Sequence, residues 1–322
     1  MIDAAKRGVE LRDATDGAGR IASRSSRSDA ARPGLPPAGA QDQWALELKW
    51  DGMRAQFRVA RDGSWCLRSR PGRNCSDQFP ELAPLADALH GRELLLDGEL
   101  VCLGADGRPD FHRLRRRLTA SSGHAAALLA ARDPATLIVF DVLHLDGRAV
   151  RALPYRCRRE LLARTLPATG RCWRIPAPLN GALDAVLEVT RAHELEGVVA
   201  KRLEAPYQPG QRSGAWLKHK HRRQETFAVT GWRPAPHHAR RPDAIFVART
   251  TPEGSLRPAG TAELGLSGLQ RDQLGAALRQ RHVETRRGTH RVAAGIWVDV
   301  DFHGGQTGPL RDAVMRAVHI DA

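Results

Sequence analysis

Lysine is scarce in this chain. Only five of its fifty basic residues are lysine, and the rest are arginine. Arginine keeps its proton under ordinary conditions and cannot act as a nucleophile, whereas a neutral lysine amine can. Cysteine is scarce too. The five, Cys66, Cys75, Cys102, Cys157 and Cys172, are odd in number, contain no Cys-x-x-Cys pair and lie near no His in a zinc-ligand pattern. That excludes a disulfide-stapled or zinc-held scaffold and suits small residues in a reducing cytoplasm. Long apolar runs are missing. The greasiest patch, 125–131, is far too short to span a membrane as a helix. The opening Met-Ile-Asp-Ala-Ala-Lys-Arg has no apolar core of a secretion signal.

The 322 residues give room for two domains, each with its own core. Apolar residues make up 42% and charged residues 27%, as in an ordinary soluble protein. The net charge of +14 and the pI near 10.7 are not ordinary and point to a polyanionic partner, most simply nucleic acid.

Residues 1–42 read as a disordered basic leader, rich in Arg, Ala, Gly and Ser, that becomes an extended connector at Arg32-Pro33-Gly34-Leu35-Pro36-Pro37. From 43 the pattern becomes structured. Strands are expected over 44–50, 54–60 and 64–70, with a hairpin turn at Asp62-Gly63. The spacing predicts helices over 79–90, 111–118, 156–166 and 183–195. Apolar strands follow at 93–103, interrupted by Asp97-Gly98, and at 137–143, 197–202 and 215–220. Past 221–225 the character changes. Short strands at 226–232, 244–250, 254–260 and 295–302, with a helix over 271–281 between the third and fourth, suit a small closed barrel. The expected division is therefore a leader over 1–42, one domain over 43–221 and a barrel domain over 222–322.

Four of the five lysines fall in blocks suited to nucleotide chemistry: Lys49 in Glu47-Leu48-Lys49-Trp50-Asp51-Gly52-Met53-Arg54, Lys201 in Glu196-Gly197-Val198-Val199-Ala200-Lys201, and Lys218 and Lys220 in Trp216-Leu217-Lys218-His219-Lys220. The fifth, Lys6, lies in the leader. Lys49 is expected at a strand end, where Asp51-Gly52 turns the chain. Lysine is almost wholly protonated at neutral pH, and nearby positive charge favours the neutral amine. Lys201, Lys218 and Lys220, converging with a metal ion, would supply that charge and bind a polyphosphate. Glu99 and Glu196 suit magnesium, which takes one or two carboxylates beside waters and phosphate oxygens. Phe140 could stack on a base or fill the core.

In this order, Lys-x-Asp-Gly-x-Arg (49–54), Ser69-Arg70-Pro71-Gly72, Asp97-Gly98-Glu99, Phe140-Asp141-Val142-Leu143, the Glu196–Lys201 block and the Trp216–Lys220 block resemble the motifs of covalent nucleotidyltransferases. The pattern is most similar to ATP-dependent DNA ligases of the bacterial end-joining type, over about residues 35–320, and 111–118 also resembles a segment of that group. The resemblance implies an α+β nucleotidyltransferase (adenylation) domain of antiparallel sheets with flanking helices, followed by an OB-fold β-barrel. It implies ATP and Mg2+ or Mn2+ as cofactors, and duplex DNA with nicks or ends as partner. Separate end-joining proteins would assist a monomeric enzyme of the bacterial cytoplasm, at the nucleoid and not at a membrane.

The resemblance also implies roles. Lys49 would attack the α-phosphate of ATP, Glu47 would meet the adenine amino group, and Phe140 would stack on the ring. Leu48, Arg54, Arg70, Glu99, Lys201, Lys218 and Lys220 would complete the nucleotide site, and Glu99 and Glu196 would serve the metal. Basic patches at 113–117, 218–223, 237–241 and 279–287 would contact the phosphate backbone without reading bases. One departure stands out. Where the family closes its barrel with Arg-x-Asp-Lys, this chain has His319-Ile320-Asp321-Ala322. The readings left open are a degenerate ligase that binds nicks or ends without efficient self-adenylation, and an RNA-sealing nucleotidyltransferase.

Overall fold

Alternation at Ala55, Phe57 and Val59 makes Met53–Val59 a strand with one buried face. In the computed structural model, which describes residues 30–89, 91–120, 122–236, 238–286, 288–303 and 310–320, it pairs antiparallel with Trp65–Ser69 across the expected turn. The turn has a local cause. Asp62 Oδ1 accepts from the backbone N–H and the hydroxyl of Ser64 (2.9 and 2.6 Å), and Gly63 takes φ 80°. The other edge of Met53–Val59 pairs with Leu94–Cys102, which pairs with Ala135–Leu145. Short strands Arg148–Ala149 and Trp173–Arg174 flank the latter. Helices Phe111–Leu118, Gly123–Arg132 and Tyr155–Thr165 belong to the same compact unit, with Phe57, Phe79, Leu96, Leu114, Val139 and Leu162 in its core. Asp97-Gly98 does not interrupt the strand; it shifts its register against Ala135–Leu145. Gly98 is needed because a Cβ there would lie 2.6 Å from the Ile138 carbonyl oxygen.

The helix expected over 79–90 is instead a 3-10 turn, Pro80–Leu82, followed by the short helix Ala83–Asp87, with another 3-10 turn, Ser76–Gln78, just ahead of it. Pro80 and Pro84 explain the difference. Each lacks an N–H and fits only the first turn of a helix, so one continuous helix through both is ruled out. Leu82, Leu85 and Leu89 still face the core.

The second compact unit contains a four-stranded sheet in the order Arg32–Pro33, Trp216–Lys220, Gly197–Arg202, Trp44–Leu48. Leu46, Val198 and Ala200 bury one face under helix Leu183–Ala192, against Leu183, Val186 and Leu187. The same unit holds a closed ring of five strands: Arg223–Ala235, His238–Thr250, Leu256–Leu264, Arg311–Ile320 and Ile296–His303, the last pairing back to the first. Closure removes the unpaired edges of these short strands. Phe227, Val247, Leu278, Val298, Phe302 and Met315 fill it. Helix Gly268–Gln280 follows the third strand and is capped by Ser267 and Gln270. The sequence reading had four strands here. The closing strand, Arg311–Ile320, was not among them, because register shifts break its alternation against Ile296–His303. A further hairpin, His282–Arg286 with Thr289–Val292, joins the sheet through the Arg223–Ala235 strand. Of the leader expected over 1–42, residues 1–29 lie outside the described residues, and Arg32–Pro33 pairs parallel to Trp216–Lys220.

Candidate active site

Antiparallel pairing decides which side chains share a face. Trp216, Lys218 and Lys220 stand opposite Lys201, Val199 and Gly197. Lys201 and Val199 stand opposite Ala45 and Glu47. Lys49, one residue past the Trp44–Leu48 strand, gives its N–H to the Gly197 carbonyl (2.9 Å) and keeps the parity of Ala45 and Glu47. With a side-chain period of two, all four lysines therefore lie on the face opposite helix Leu183–Ala192.

Three of the four pair with two glutamates. Lys49 Nζ lies 2.5 Å from Glu196 Oε1, and Lys220 Nζ lies 3.6 Å from the same oxygen. Lys201 Nζ lies 2.6 Å from Glu47 Oε2 and 4.3 Å from the centre of the Trp216 ring. Lys201 is only 2% exposed, so its partners are fixed at the root of the face. Leu48 ends its strand opposite Val198. From the barrel's closing strand, Arg311 forks onto Asp51, Nη1 to Oδ1 at 2.7 Å and Nη2 to Oδ2. Asp312 meets Lys220 at 3.0 Å, and that bond holds its carboxyl below the usual range.

The remaining sequence-derived residues lie in the other unit. Arg54 stands opposite Glu99 across paired strands. Arg54 Nε and Nη2 donate to Asp97 Oδ1 and Oδ2 (3.2 and 2.7 Å), and its guanidinium lies 5.3 Å from the centre of the Phe140 ring. Burial opposes the charge of Arg54, but Asp97 outweighs it and the guanidinium titrates above its ordinary value. Arg70, exposed, gives its backbone N–H to the Arg54 carbonyl (3.1 Å). Gly52 follows from packing. A Cβ there would lie 2.2 Å from the Leu100 carbonyl oxygen.

Several partners of this set were not assigned by sequence reasoning. Asp97, fully buried, anchors Arg54 together with Tyr207. Asp141, next to Phe140, forms a fully buried fork with Arg158 (2.7 and 2.9 Å). Both aspartates stand inside quoted motifs, so an acid in an apolar strand was the available signal. Tyr207 and Arg158 gave none.

One basic patch needs correction. Arg117 is not on a DNA-facing surface. It is fully buried, bonded to Glu81 (2.5 and 2.9 Å) and to the carbonyls of Gln78 and Asp133. It falls on the inward face of its helix with Leu114, one turn earlier. Arg113 and Arg116 pair with Asp133, while Arg115 is exposed. In the other patches, His237 and Arg287 lie outside the described residues. Lys220 is paired as above, and Arg223 pairs with Glu194. His319 is exposed on the closing strand with Nε2 2.9 Å from Asp299 Oδ2; Asp321 and Ala322 lie outside the described residues. No cluster of three or more His, Cys, Asp or Glu side chains that could hold a metal occurs among the described residues. Glu196 Oε2, however, is buried without a hydrogen-bond partner among the described residues.

These sheets with few helices and a closed five-stranded barrel define a nucleotidyltransferase-type fold with an OB-like barrel. A family model for the ATP dependent DNA ligase domain matches residues 38–220, more than half of the chain, and the chain belongs to that family. It is 34% identical over 243 residues to the multifunctional non-homologous end joining DNA repair protein LigD of Mycobacterium tuberculosis, covering 75% of this chain and 30% of that protein. The chain thus spans less than a third of that relative's length. It is 34% identical over 272 residues to a probable DNA ligase of Sorangium cellulosum, covering 82% of this chain and 50% of that protein. Its structure is similar to that of mycobacterial DNA ligase D complexed with ATP and MES, with TM-score 0.56 and 28% identity over 92% of this chain and 96% of that one.

Proposed function

We propose that this chain seals 5′-phosphate/3′-hydroxyl breaks in duplex DNA through a lysyl-AMP intermediate. The observation that carries the reading is the placement of Lys49, Lys201, Lys218 and Lys220 on one sheet face, with Lys49 and Lys220 sharing Glu196. Lys49 Nζ attacks the α-phosphorus of ATP. A phosphoramidate N–P bond forms, the bond to the β-phosphate oxygen breaks, and pyrophosphate leaves. The AMP passes to the 5′-phosphate of the break, restoring the Lys49 amine. The 3′-hydroxyl then attacks that phosphate, joining the strand and releasing AMP. Phosphoryl transfer of this kind depends on positioning and charge neutralisation.

In this scheme Lys218 and Lys220 receive the α-phosphate, and Glu47 meets the adenine amino group. Lys201 keeps Glu47 oriented. Phe140 stacks on the base, and Leu48, Arg54, Arg70 and Glu99 line the nucleoside and phosphates. Glu196 would serve Mg2+ or Mn2+, and its buried Oε2, without a hydrogen-bond partner among the described residues, fits a divalent cation. Such an ion neutralises phosphate charge when bound. Residues 43–221 would form the adenylation domain and 222–322 the OB-fold domain. The similarity to an end-joining protein supports a role in DNA repair or recombination in the bacterial cytoplasm, beside separate end-joining partners. Exposed arginines such as Arg115 and Arg222 would contribute phosphate-backbone contacts.

Incubation with labelled ATP and magnesium is expected to leave an acid-labile AMP adduct that Lys49→Ala lacks. Undiminished labelling of that variant would remove Lys49 as the nucleophile. His319, in place of the family's arginine, favours a second reading, a degenerate ligase that only recognises nicks or ends. Pre-adenylated nicked DNA separates the two, because the binding-only protein leaves it unsealed. Parallel assays on RNA nicks and with GTP address RNA sealing.

A further inference from the structure

His221 has no role in the adenylation scheme, yet groups from three elements bond to it. Its backbone N–H donates to the Glu196 carbonyl (2.9 Å). His303 Nδ1, at the end of strand Ile296–His303, donates to its carbonyl (2.8 Å). Its ring Nε2 lies 2.8 Å from the hydroxyl oxygen of Thr190, a buried residue of helix Leu183–Ala192. Counting protons gives the direction of that bond. The one hydroxyl proton of Thr190 goes to the helix carbonyls of Val186 (2.8 Å) and Leu187 (3.1 Å). The oxygen therefore accepts, and His221 Nε2–H donates. Thr190 also holds the turn that follows its helix. Its carbonyl accepts the Leu195 N–H (2.9 Å), past Glu194 at φ 56°. A closed loop of bonds thus runs from Thr190 to Leu195, along the chain to Glu196, across to His221 and back to Thr190.

Glu196 is the residue this loop carries. Its Oε1 lies 2.5 Å from Lys49 Nζ, and the next carbonyl, that of Gly197, accepts the Lys49 N–H (2.9 Å). We propose that His221 is a positioning residue for lysine adenylation, acting through Thr190 and the turn 194–196 on the Glu196 carboxylate. The physical argument is one of cross-bracing. Glu196 lies one residue outside strand Gly197–Arg202, so the turn carries it as much as the sheet does. The His221–Thr190 bond ties the helix end to the strand end across that turn. Without it, each end holds the turn separately, and Glu196 gains freedom. An amine held less well on its line of attack reacts more slowly, while contacts to ATP made elsewhere are kept. This inference rests on the lysyl-AMP reading above, and its test keeps the two apart.

Thr190→Val keeps the shape and removes the acceptor, and His221→Leu removes the donor. His221→Gln is the rescue, because its amide N–H stands in for Nε2–H. Labelling of Lys49 by ATP is followed as single-turnover time courses in the full chain, beside Lys49→Ala. The fraction of folded protein sets the amplitude and not the rate constant, so lost stability alone cannot mimic a slower rate. At saturating ATP the rate constant should fall about fivefold to tenfold in Thr190→Val and in His221→Leu, the scale of one lost hydrogen bond. His221→Gln should stay within about twofold of the parent, and the ATP concentration giving half the maximal rate should move less than about twofold in every one of these three variants. Thr190→Val combined with His221→Leu should be slower than either alone by less than about twofold, because the same bond is lost once. An unchanged rate constant in Thr190→Val overturns the inference. So does an equal loss in His221→Gln and His221→Leu, or a multiplied loss in the double variant. Continued labelling of Lys49→Ala overturns the underlying reading instead.

Discussion

Replacing Asp141 by Asn should destabilise the first unit by about 3 kcal/mol, near the lower end of the roughly 3–5 kcal/mol found when one member of a buried ion pair is removed. Both partners are fully buried, and the two bonds joining them measure 2.7 and 2.9 Å. Asn preserves the shape but leaves the Arg158 charge without a counter-charge. The lower end is expected because its amide oxygen can still accept one bond, and Arg158 keeps the carbonyls of Leu153 (2.5 Å) and Ala205 (3.2 Å). Against a total stability of about 5–15 kcal/mol this loss is large. Urea unfolding followed by tryptophan fluorescence measures it, since Trp173 stands in the same core. The joint replacement Arg158→Met with Asp141→Leu removes both charges and should fall within about 1 kcal/mol of the parent. If Asp141→Asn also unfolds within about 1 kcal/mol of the parent, the pair does not hold this core as described.

Gly52→Ala should cost about 1–3 kcal/mol, because its new methyl would meet the Leu100 carbonyl at 2.2 Å and the Val101 Cγ1 at 2.9 Å. It should also slow adenylation by disturbing the chain just past Lys49, and unfolding and labelling assays read both effects. His221 is held at about 4, below its ordinary value of 6.5, by burial and then by His219 and Arg191. The folded state disfavours its protonation, so its contribution to stability is complete above 6.5 and is lost as pH falls toward about 4. Unfolding midpoints across that range should decline, and His221→Gln, removing the titrating ring, should flatten the decline.

The candidate site was legible in part because strand periodicity is local. Once 197–202 and 216–220 are strands, Lys201 falls on one face and Lys218 and Lys220 share another parity set; pairing then merges these sets. The barrel's closing strand was missed because its register shifts hide the alternation. The direction of Arg117 was missed because its acceptors, Glu81 and Asp133, are supplied by other elements.

By itself the sequence determined the blocks, the scarce lysines within them, the turn at Asp62-Gly63 and the basic balance, all of which depend on residue type and near spacing. Tertiary structure decided which carboxylate each cation meets. Asp97 finds Tyr207 across 110 residues, and Asp51 finds Arg311 across 260. The physical reason is that a buried charge is stable only beside a partner, and the fold alone brings together groups so far apart along the chain.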